Sequence, residues 1–246
     1  MDETSCPYYR PDLARVHHLG FGSHADACAP GILGLLAGVR KRNGLVVELG
    51  CGSGHLTRHL LESGHRLIAT DASPAMLELA RSHARNVEDL RLLVLPDDPI
   101  PPADAIVSVG HVLSYLPDEV AIRRGLSSIC RALHPGGVLA LDICDLKWGE
   151  VRRNAPVGVS VNDEWVLVSR FSVPAPNRFV REMTTFLRCE DGTWRRDDER
   201  HDNVLIDTSY VPGLLREYGV DATLGSSFGD EHLPAGLVTI IGRRSG

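Results

Sequence analysis

Val46-Val-Glu-Leu-Gly-Cys-Gly-Ser-Gly54 joins an apolar strand to a turn that has glycine at every second position. The three glycines remove Cβ atoms where the backbone must turn sharply and lie close to a ligand. Glu48 stands at the end of the strand, where a carboxylate can accept two hydroxyl hydrogen bonds. A helix is predicted to follow from His55 to Ser63. Many strand-to-helix turns need glycine for steric reasons alone, so the surroundings of this turn decide its meaning.

A second acidic strand end follows about twenty residues later, as in nucleotide-binding α/β units. The strand Arg66–Asp71 ends in a carboxylate, and Ser73 with Pro74 behind it is a good helix start. Asp71 is therefore expected at the open edge of a sheet, where a nucleoside ribose lies in a doubly wound α/β fold. Dinucleotide-binding loops space their glycines as G-x-G-x-x-G, which differs from the spacing here and argues against a pyrophosphate ligand.

Strands and helices alternate through the first 145 residues. The alternation predicts a parallel sheet with right-handed crossovers. The predicted strands are residues 45–50, 66–71, 90–95, 104–110 and 138–144, with helices at 26–42, 74–84 and 120–133 between or before them.

The pattern changes after Trp148. Strand-like alternation at residues 157–171, 178–189 and 193–206 is broken by turn sequences, which indicates an antiparallel insertion. A helix at 209–218 and a strand pair at 220–228 and 236–243 are expected to complete the sheet.

Four segments resemble the class I S-adenosylmethionine-dependent methyltransferases, over roughly residues 44–145 and again over 209–243. They are Glu48-Leu-Gly50-Cys-Gly52-Ser-Gly54, Asp71-Ala-Ser-Pro-Ala-Met76-Leu, Asp104-Ala-Ile-Val-Ser-Val-Gly110-His111-Val-Leu-Ser-Tyr115-Leu and Leu133-His-Pro-Gly-Gly137. The resemblance implies S-adenosyl-L-methionine as cofactor. The implied fold is α/β and Rossmann-like: a doubly wound seven-stranded sheet, with the antiparallel insertion before the last helix and an N-terminal helical lid. Residues 1–42 are expected to form the lid helices, and 43–246 the methyltransferase domain with its insertion at about 150–206.

The resemblance also implies which residues bind the cofactor. The glycine loop lies against its methionine part, Asp71 binds the ribose hydroxyls, and Ala72 and Met76 pack on adenine. The turn after the third strand supplies Asp97 or Asp98 to the adenine amino group, and the choice stays open. The full expected set is Glu48, Gly50, Cys51, Gly52, Gly54, Asp71, Ala72, Met76, Pro96, Asp97, Val109 and Gly110. No metal ligand is predicted.

Methyl transfer needs a near-linear attack of a lone pair on the methyl group, and a base only where the nucleophile carries a proton. His111 follows the fourth strand and is the first candidate for a base; the alternative is a ring satisfied by a backbone carbonyl. Tyr115, one helical turn further, either lines the acceptor pocket or only packs. His17 and His18 in the lid either orient substrate or cofactor or are structural. Glu199 and His201 could offer a second base, but a solvated strand end is the expectation for them.

Composition and charge narrow the class of protein to which the chain can belong. The net charge is −6 with only two lysines, Lys41 and Lys147, so no basic face for nucleic acid is expected. Apolar runs fall short of the roughly 18 residues of a membrane span, and the N-terminus lacks the pattern of a signal peptide. Six scattered cysteines without a C-x-x-C pair argue against zinc and against a disulfide scaffold. The expected location is the cytoplasm, and because an exposed β layer often forms a dimer interface, a homodimer is one expected assembly.

The sequence thus predicts an enzyme that methylates oxygen or nitrogen of a small molecule, in specialised metabolism as one setting. The alternative is a methyltransferase-like protein that binds the cofactor without transferring methyl, as a cyclase or a regulatory partner. A tRNA or protein methyltransferase fits the acidic charge poorly. Nothing in the sequence identifies the methyl acceptor.

Overall fold

The structure is a computed structural model that describes residues 8–84 and 87–246. The helices are α1 (Pro11–Gly20), α2 (Ser23–Leu35), α3 (Ala37–Lys41), α4 (His55–Glu62), α5 (Pro74–His83), α6 (Glu119–Ala132), α7 (Leu146–Arg152) and α8 (Val211–Arg216). The strands are β1 (Leu45–Leu49), β2 (Arg66–Asp71), β3 (Asp89–Leu92), β4 (Ala103–Ser108), β5 (Leu133–Cys144), β6 (Gly158–Val161), β7 (Trp165–Ala175), β8 (Arg178–Arg188), β9 (Trp194–Val204), β10 (Val220–Gly225) and β11 (Leu237–Arg244).

Seven strands form the central sheet in the order β10-β11-β5-β4-β1-β2-β3. The pairs from β5 to β3 are parallel, whereas β11 runs antiparallel to both of its neighbours. The strand order reverses between β1 and β4, so their carboxyl ends open a crevice of the kind that binds nucleotides in doubly wound sheets. The predicted seven-stranded α/β sheet is confirmed.

The core lies on both faces of this sheet. Along β1, Val46 belongs to the cluster that contains Leu56 and Leu60 of α4, and Val47 to the cluster around Ile122 of α6. Successive side chains of a strand point to opposite faces, so the apolar residues of β1 are buried on both sides of the sheet. This burial fixes the end of β1, and with it the position of the glycine loop.

Four strands form a second, antiparallel sheet in the order β6-β7-β8-β9. The sequence predicted one strand over residues 157–171, and this is wrong: β6 and β7 are separate strands joined by a turn. The turn forms because Asn162 accepts a hydrogen bond from the Glu164 amide through its side chain and donates its own amide to the Trp165 carbonyl. Asparagine favours such turns by bonding to the backbone two residues on.

Helix α7 was not predicted. Asp145 ends the run from β5, and its Oδ1 accepts a hydrogen bond from the Lys147 amide at 2.9 Å, which caps the new helix. The predicted helix over residues 26–42 begins earlier, at Ser23, and is interrupted at Leu36, where α2 ends and α3 begins. The predicted strand at 90–95 is shorter in the structure, since β3 ends at Leu92.

Helix α1 lies between the two sheets and is held by ion pairs and hydrogen bonds at its N-terminus. Glu199 of β9 accepts the backbone amides of Tyr9 (2.8 Å) and Arg10 (2.7 Å), and Asp12 pairs with Arg195. The first seven residues of the predicted lid lie outside the described residues. Helix α1 thereby covers the crevice from the side of the antiparallel sheet.

Candidate active site

The glycine loop between β1 and α4 has three residues with left-handed backbone: Gly50 (φ 69°), Gly52 (φ 54°) and Gly54 (φ 89°). A Cβ on Gly50 would lie 2.2 Å from Val112 Cγ2, and one on Gly54 would lie 3.1 Å from Ala84 Cβ. A Cβ on Gly52 would meet no described protein atom within 4 Å. Gly50 and Gly54 are thus required by the protein's own packing, while Gly52 leaves open space above the backbone.

Asp71 ties this loop to the next strand end. Its Oδ2 accepts the Gly52 amide and its Oδ1 accepts the Ser73 amide, both at 2.8 Å. Burial raises the pKa of Asp71, and the backbone hydrogen bonds oppose that rise. Each carboxylate oxygen has two lone pairs, so the side chain retains acceptor capacity for ligand hydroxyls.

Glu48 lies beneath the loop and does not line the cleft. It is only 2% exposed, and its Oε2 accepts a 2.7 Å hydrogen bond from the Thr57 hydroxyl. Burial raises the pKa of Glu48 to about 7, against the opposing hydrogen bond of Thr57. The expected direct contact with the cofactor therefore has no support in this placement, and Glu48 supports the loop from behind.

Replacing Glu48 with glutamine should stabilise the protein increasingly as pH rises. In the unfolded chain the carboxyl ionises near its ordinary pKa of 4.5, whereas in the folded chain it stays protonated to about pH 7. The free energy of unfolding of the wild type therefore falls as pH rises from about 4.5 to about 7, whereas that of the variant does not change from this cause because glutamine does not titrate. The advantage of Glu48→Gln should grow by about 3 kcal/mol between pH 4.5 and 7, measured by urea unfolding.

The matched control is Glu62→Gln on α4, whose side chain is 62% exposed. Its stability difference from wild type should stay constant over the same pH range. A Glu48→Gln difference that did not change with pH would contradict the buried, raised-pKa carboxyl.

A cleft of about 910 Å³, including the part open to solvent, lies over the loop. This size suits a nucleoside-sized ligand. Of the predicted cofactor residues, Gly50, Cys51, Gly52, Asp71, Ala72, Met76, Val109 and Gly110 line it. The lid contributes Tyr8, Tyr9, His17, Phe21, Gly22, His24 and Ala25, and the remaining lining residues are Ser53, His55, Ser73, Val112 and Tyr115.

Pro96 and Asp97 do not line this cleft. Asp97 forms an ion pair with Arg124 of α6 at 2.7 Å, and its side chain is 72% exposed. The alternative, Asp98, accepts the Val94 amide at 2.7 Å. The structure thus places both candidate adenine contacts in a loop held by its own hydrogen bonds and by α6.

Asp142 of β5 fixes the loop that follows β4. Its carboxylate accepts the amides of Gly110 (3.0 Å) and His111 (2.6 Å), and His24 Nε2 lies 3.2 Å from Oδ2. His111 is held in the left-handed region at φ 50°. Asp142 thereby holds this turn at the edge of the cleft.

The His111 ring faces a second cavity of about 610 Å³, including its part open to solvent. This second cavity is lined by His111, Trp148, Arg152, Ala155, Phe171, Phe179, Arg181 and Asn203. Burial lowers the pKa of His111 to about 4, and its Nδ1 has no hydrogen-bond partner among the described residues. The ring stacks on Tyr115 with centroids 5.6 Å apart, so this pair separates the second cavity from the cleft.

Tyr115 is the point where the cleft meets a buried polar network. Its hydroxyl lies 3.2 Å from the Tyr9 hydroxyl and 3.3 Å from His201 Nδ1, and His201 Nε2 lies 2.9 Å from Glu199 Oε2. A carboxylate only accepts, so Nε2 carries the His201 proton and Nδ1 accepts from Tyr115. The Arg181 guanidinium donates to Tyr9 and His201, each at 3.4 Å.

The expectation that Glu199 and His201 form a solvated strand end is wrong. Their exposed fractions are 5% and 0%, because α1 covers this face of β9. Burial lowers the pKa of His201, although Glu199 acts in the opposite direction. Burial also raises the pKa of Tyr115 well above its ordinary value. Both rings are therefore neutral near pH 7.

His18 lies on the outer side of the glycine loop. Its Nδ1 is 3.0 Å from the Ser53 hydroxyl, and its ring lies about 5 Å from those of His55 and His83. Its contacts in the described part of the chain are with this group and not with Tyr115 or His111. The three histidines do not form a metal centre, since residues 8–84 and 87–246 contain no group of three or more potential ligands placed for one.

Arg181 and Asn203 were missed by sequence reasoning. Arg181 on β8 is directly opposite His201 on β9, and Phe179 is opposite Asn203. A signal was present: Glu199, His201 and Asn203 recur at every second position, which places them on one face of a strand. Their polarity obscured that this face is the buried one.

The residues present fit S-adenosylmethionine. Gly52 leaves room for a ligand against the bare backbone, Asp71 retains lone pairs for ribose hydroxyls, and Met76 presents an apolar surface beside them. No phosphate-sized cluster of cationic side chains lines this cleft. That matches a nucleoside with an amino-acid tail better than a dinucleotide.

Comparisons with known proteins identify a methyltransferase domain. Residues 46–137 match the family model of a methyltransferase domain. A curated methyltransferase of Geobacillus sp. (strain WCH70) is 25% identical over 71% of this chain and 72% of its own. The trans-aconitate 2-methyltransferase of Azoarcus sp. (strain BH72) is 36% identical over 40% of this chain, which is 38% of that protein. The solved sugar N-methyltransferase of Streptoalloteichus sp. shares the fold, with a TM-score of 0.77, 19% identity and coverage of 100% of this chain and 99% of that one.

Fold, glycine loop and family match together define the class. Residues 46–137 match a methyltransferase domain, and the fold is that of S-adenosylmethionine-dependent methyltransferases. The lining of the cleft supports S-adenosylmethionine as the cofactor. No helix within residues 8–84 and 87–246 is both long and apolar enough to cross a membrane.

Proposed function

We propose that the chain transfers methyl to a nitrogen or oxygen atom of a small molecule. The observation that carries this is the pair of adjoining spaces: the cleft over the glycine loop and the second cavity, which meet at the stacked His111 and Tyr115 rings. A ligand in each space would bring an acceptor atom next to the cofactor.

The cofactor would be held by residues already in place. The backbone of the loop at Gly50–Gly52 would contact its methionine part, the Asp71 carboxylate the ribose, and Met76 the adenine. When bound, S-adenosylmethionine would supply an activated methyl group on a sulfonium centre, whose sulfur would keep the bonding electron pair as the leaving group. The protein's part is to orient the acceptor and to manage its proton.

Tyr115, His201 and Glu199 would manage that proton. The neutral Tyr115 hydroxyl donates to His201 Nδ1 and accepts from the Tyr9 hydroxyl, so one lone pair of its oxygen is left for an acceptor N–H or O–H. As the acceptor loses its proton to Tyr115, the tyrosine proton moves to Nδ1, and the Glu199 carboxylate at 2.9 Å stabilises the imidazolium. A positioned base of this kind contributes typically about 10²–10⁴-fold to a rate.

Enclosure supports a small acceptor. The lid is held to the sheet by the Ser73 hydroxyl, which donates to the Tyr9 carbonyl at 2.8 Å, and by the contact of His18 with Ser53. On its other side Arg10 pairs with Asp197 at 2.6 Å. A lid fixed on both flanks covers the site from folded macromolecules. The trans-aconitate and sugar methyltransferases to which the chain is similar also act on small molecules.

The test is transfer of labelled methyl from S-adenosylmethionine to a panel of small amines, phenols and carboxylic acids, with tRNA and casein as macromolecular arms. Label should appear in at least one small acceptor, together with S-adenosylhomocysteine. Labelling of a macromolecule alone would contradict the proposal. Binding of the cofactor without methyl transfer to any acceptor would instead favour the alternative, a protein that binds the cofactor but does not catalyse methyl transfer.

A further inference from the structure

The second cavity contains an unusual concentration of unsatisfied polar groups. Ten buried side-chain nitrogen or oxygen atoms of the described residues have no hydrogen-bond partner, and four of them belong to its walls. They are His111 Nδ1, Trp148 Nε1, Arg181 Nε and Asn203 Nδ2. Buried polar groups in folded proteins nearly always have partners. Four such atoms around one cavity therefore indicate partners supplied by a ligand.

Three of the four atoms are obligate donors. Trp148 Nε1, Arg181 Nε and Asn203 Nδ2 all carry N–H, and Asn203 is only 3% exposed. His111 Nδ1 can be either donor or acceptor. The matching ligand must therefore present acceptor oxygens to this wall.

Arg181 adds a charge without a counter-ion. Its guanidinium donates to the Tyr9 hydroxyl and the His201 ring, and no carboxylate of the described residues pairs with it. An arginine guanidinium keeps its proton even where burial opposes the charge, so Arg181 remains a cation. A buried cation is costly unless an anion pairs with it.

The other cation of the cavity is already engaged. The Arg152 guanidinium lies 3.2 Å from the centroid of the Trp148 ring and donates to the carbonyls of Trp148 and Ala235. Arg181, by contrast, has a buried Nε without a hydrogen-bond partner among the described residues, so it is the guanidinium with an N–H free for a carboxylate oxygen. Phe171 and Phe179, with centroids 5.8 Å apart, supply an apolar part of the same lining.

We infer that the second cavity binds a carboxylate of the methyl acceptor, held by Arg181, Trp148 and Asn203, with the apolar body of the acceptor against Phe171 and Phe179. This inference rests on the proposed function for its account of the acceptor. It assigns the substrate class: a monocarboxylic acid that carries a nucleophilic nitrogen or oxygen within reach of Tyr115.

The test uses acids and their neutral isosteres. Wild-type protein saturated with S-adenosylhomocysteine is titrated calorimetrically with benzoate, phenylacetate, 4-aminobenzoate and L-phenylalanine, and with the primary amide of each. At least one acid should bind ten-fold or more tightly than its amide. Equal binding of acids and amides, or binding of neither, would overturn the inference.

Arg181→Met tests the assigned residue. It should bind S-adenosylhomocysteine within two-fold of wild type, because Arg181 does not line the cleft, and should lose the preference for acid over amide. Arg181→Lys should retain part of the preference, and exposed Arg188→Met on the same strand should retain all of it. A preference unchanged in Arg181→Met would contradict the role of Arg181.

The two proposals fail separately. Methyl transfer to a neutral acceptor, with no acid preference in the titration, would overturn the carboxylate site and leave the proposed function intact. An acid preference without methyl transfer to any acceptor would do the reverse.

Discussion

Replacing Gly52 with valine should abolish binding of S-adenosylmethionine and S-adenosylhomocysteine, with a loss of at least 100-fold in affinity. The branched side chain would occupy the open space above the loop, where no described protein atom lies within 4 Å of a Cβ. It would also have to adopt φ 54°, which costs a non-glycine residue about 1–3 kcal/mol. The measurement is calorimetric titration of the folded variant.

Gly64→Val separates the two effects. Gly64 has a similar backbone, with φ 79°, and a Cβ there also meets no atom within 4 Å, but it lies after α4 and away from the cleft. It should lose comparable stability and keep its affinity for the cofactor. Retained binding in Gly52→Val would mean that the cofactor lies elsewhere.

Replacing Tyr115 with phenylalanine should lower kcat by about 100-fold or more, within the usual range for loss of a positioned acid–base group. The change removes one oxygen and breaks the connection from the cleft to His201, while the ring still stacks on His111. Affinity for S-adenosylhomocysteine should stay within three-fold of wild type. Single-turnover kinetics with an acceptor from the labelling panel measures the effect.

Tyr210→Phe is the matched control. Tyr210 is also part-buried, but its ring packs against α6, where the Arg123 guanidinium lies 3.7 Å from the ring centroid. It does not line the cleft. It should turn over at the wild-type rate. A Tyr115→Phe variant with normal kcat would show that the acceptor reacts without help from this network, and a selective loss of cofactor affinity would make Tyr115 a cofactor contact.

The central sheet and the glycine loop could be predicted because their signals are local. The apolar run at β1, the alternating glycines and the acid at Asp71 lie within about 25 residues of one another, and each has a steric or hydrogen-bonding reason. Asp71 and Gly52 are joined in the structure by a 2.8 Å hydrogen bond. Features whose contacts lie close together in the sequence can therefore be predicted from the sequence alone.

The acceptor side could not be predicted because its contacts are distant in sequence. Tyr9 and Glu199 are 190 residues apart, and Tyr115 and His201 are 86 apart. Nothing in β9 alone shows that α1 covers one of its faces, so Glu199 and His201 resembled exposed residues among charged neighbours. Tertiary covering, not local pattern, decides which polar residues become a network.

The predicted adenine contact at Asp97 shows the same limit of prediction from sequence. The expectation for Asp97 came from family resemblance, at a turn whose sequence departs from the usual pattern. In the structure Arg124 of α6 takes its carboxylate. The assignment of an adenine contact on this turn stays a prediction.

A crystal structure of the protein with S-adenosylhomocysteine would test directly whether the cofactor binds over the glycine loop with its ribose at Asp71. We expect the amino-acid part of the ligand to lie against the backbone of Gly50–Gly52 and its ribose hydroxyls to lie within hydrogen-bond distance of Asp71. Its sulfur should point toward Tyr115. A ligand bound elsewhere, or a ribose with no contact to Asp71, would contradict these expectations.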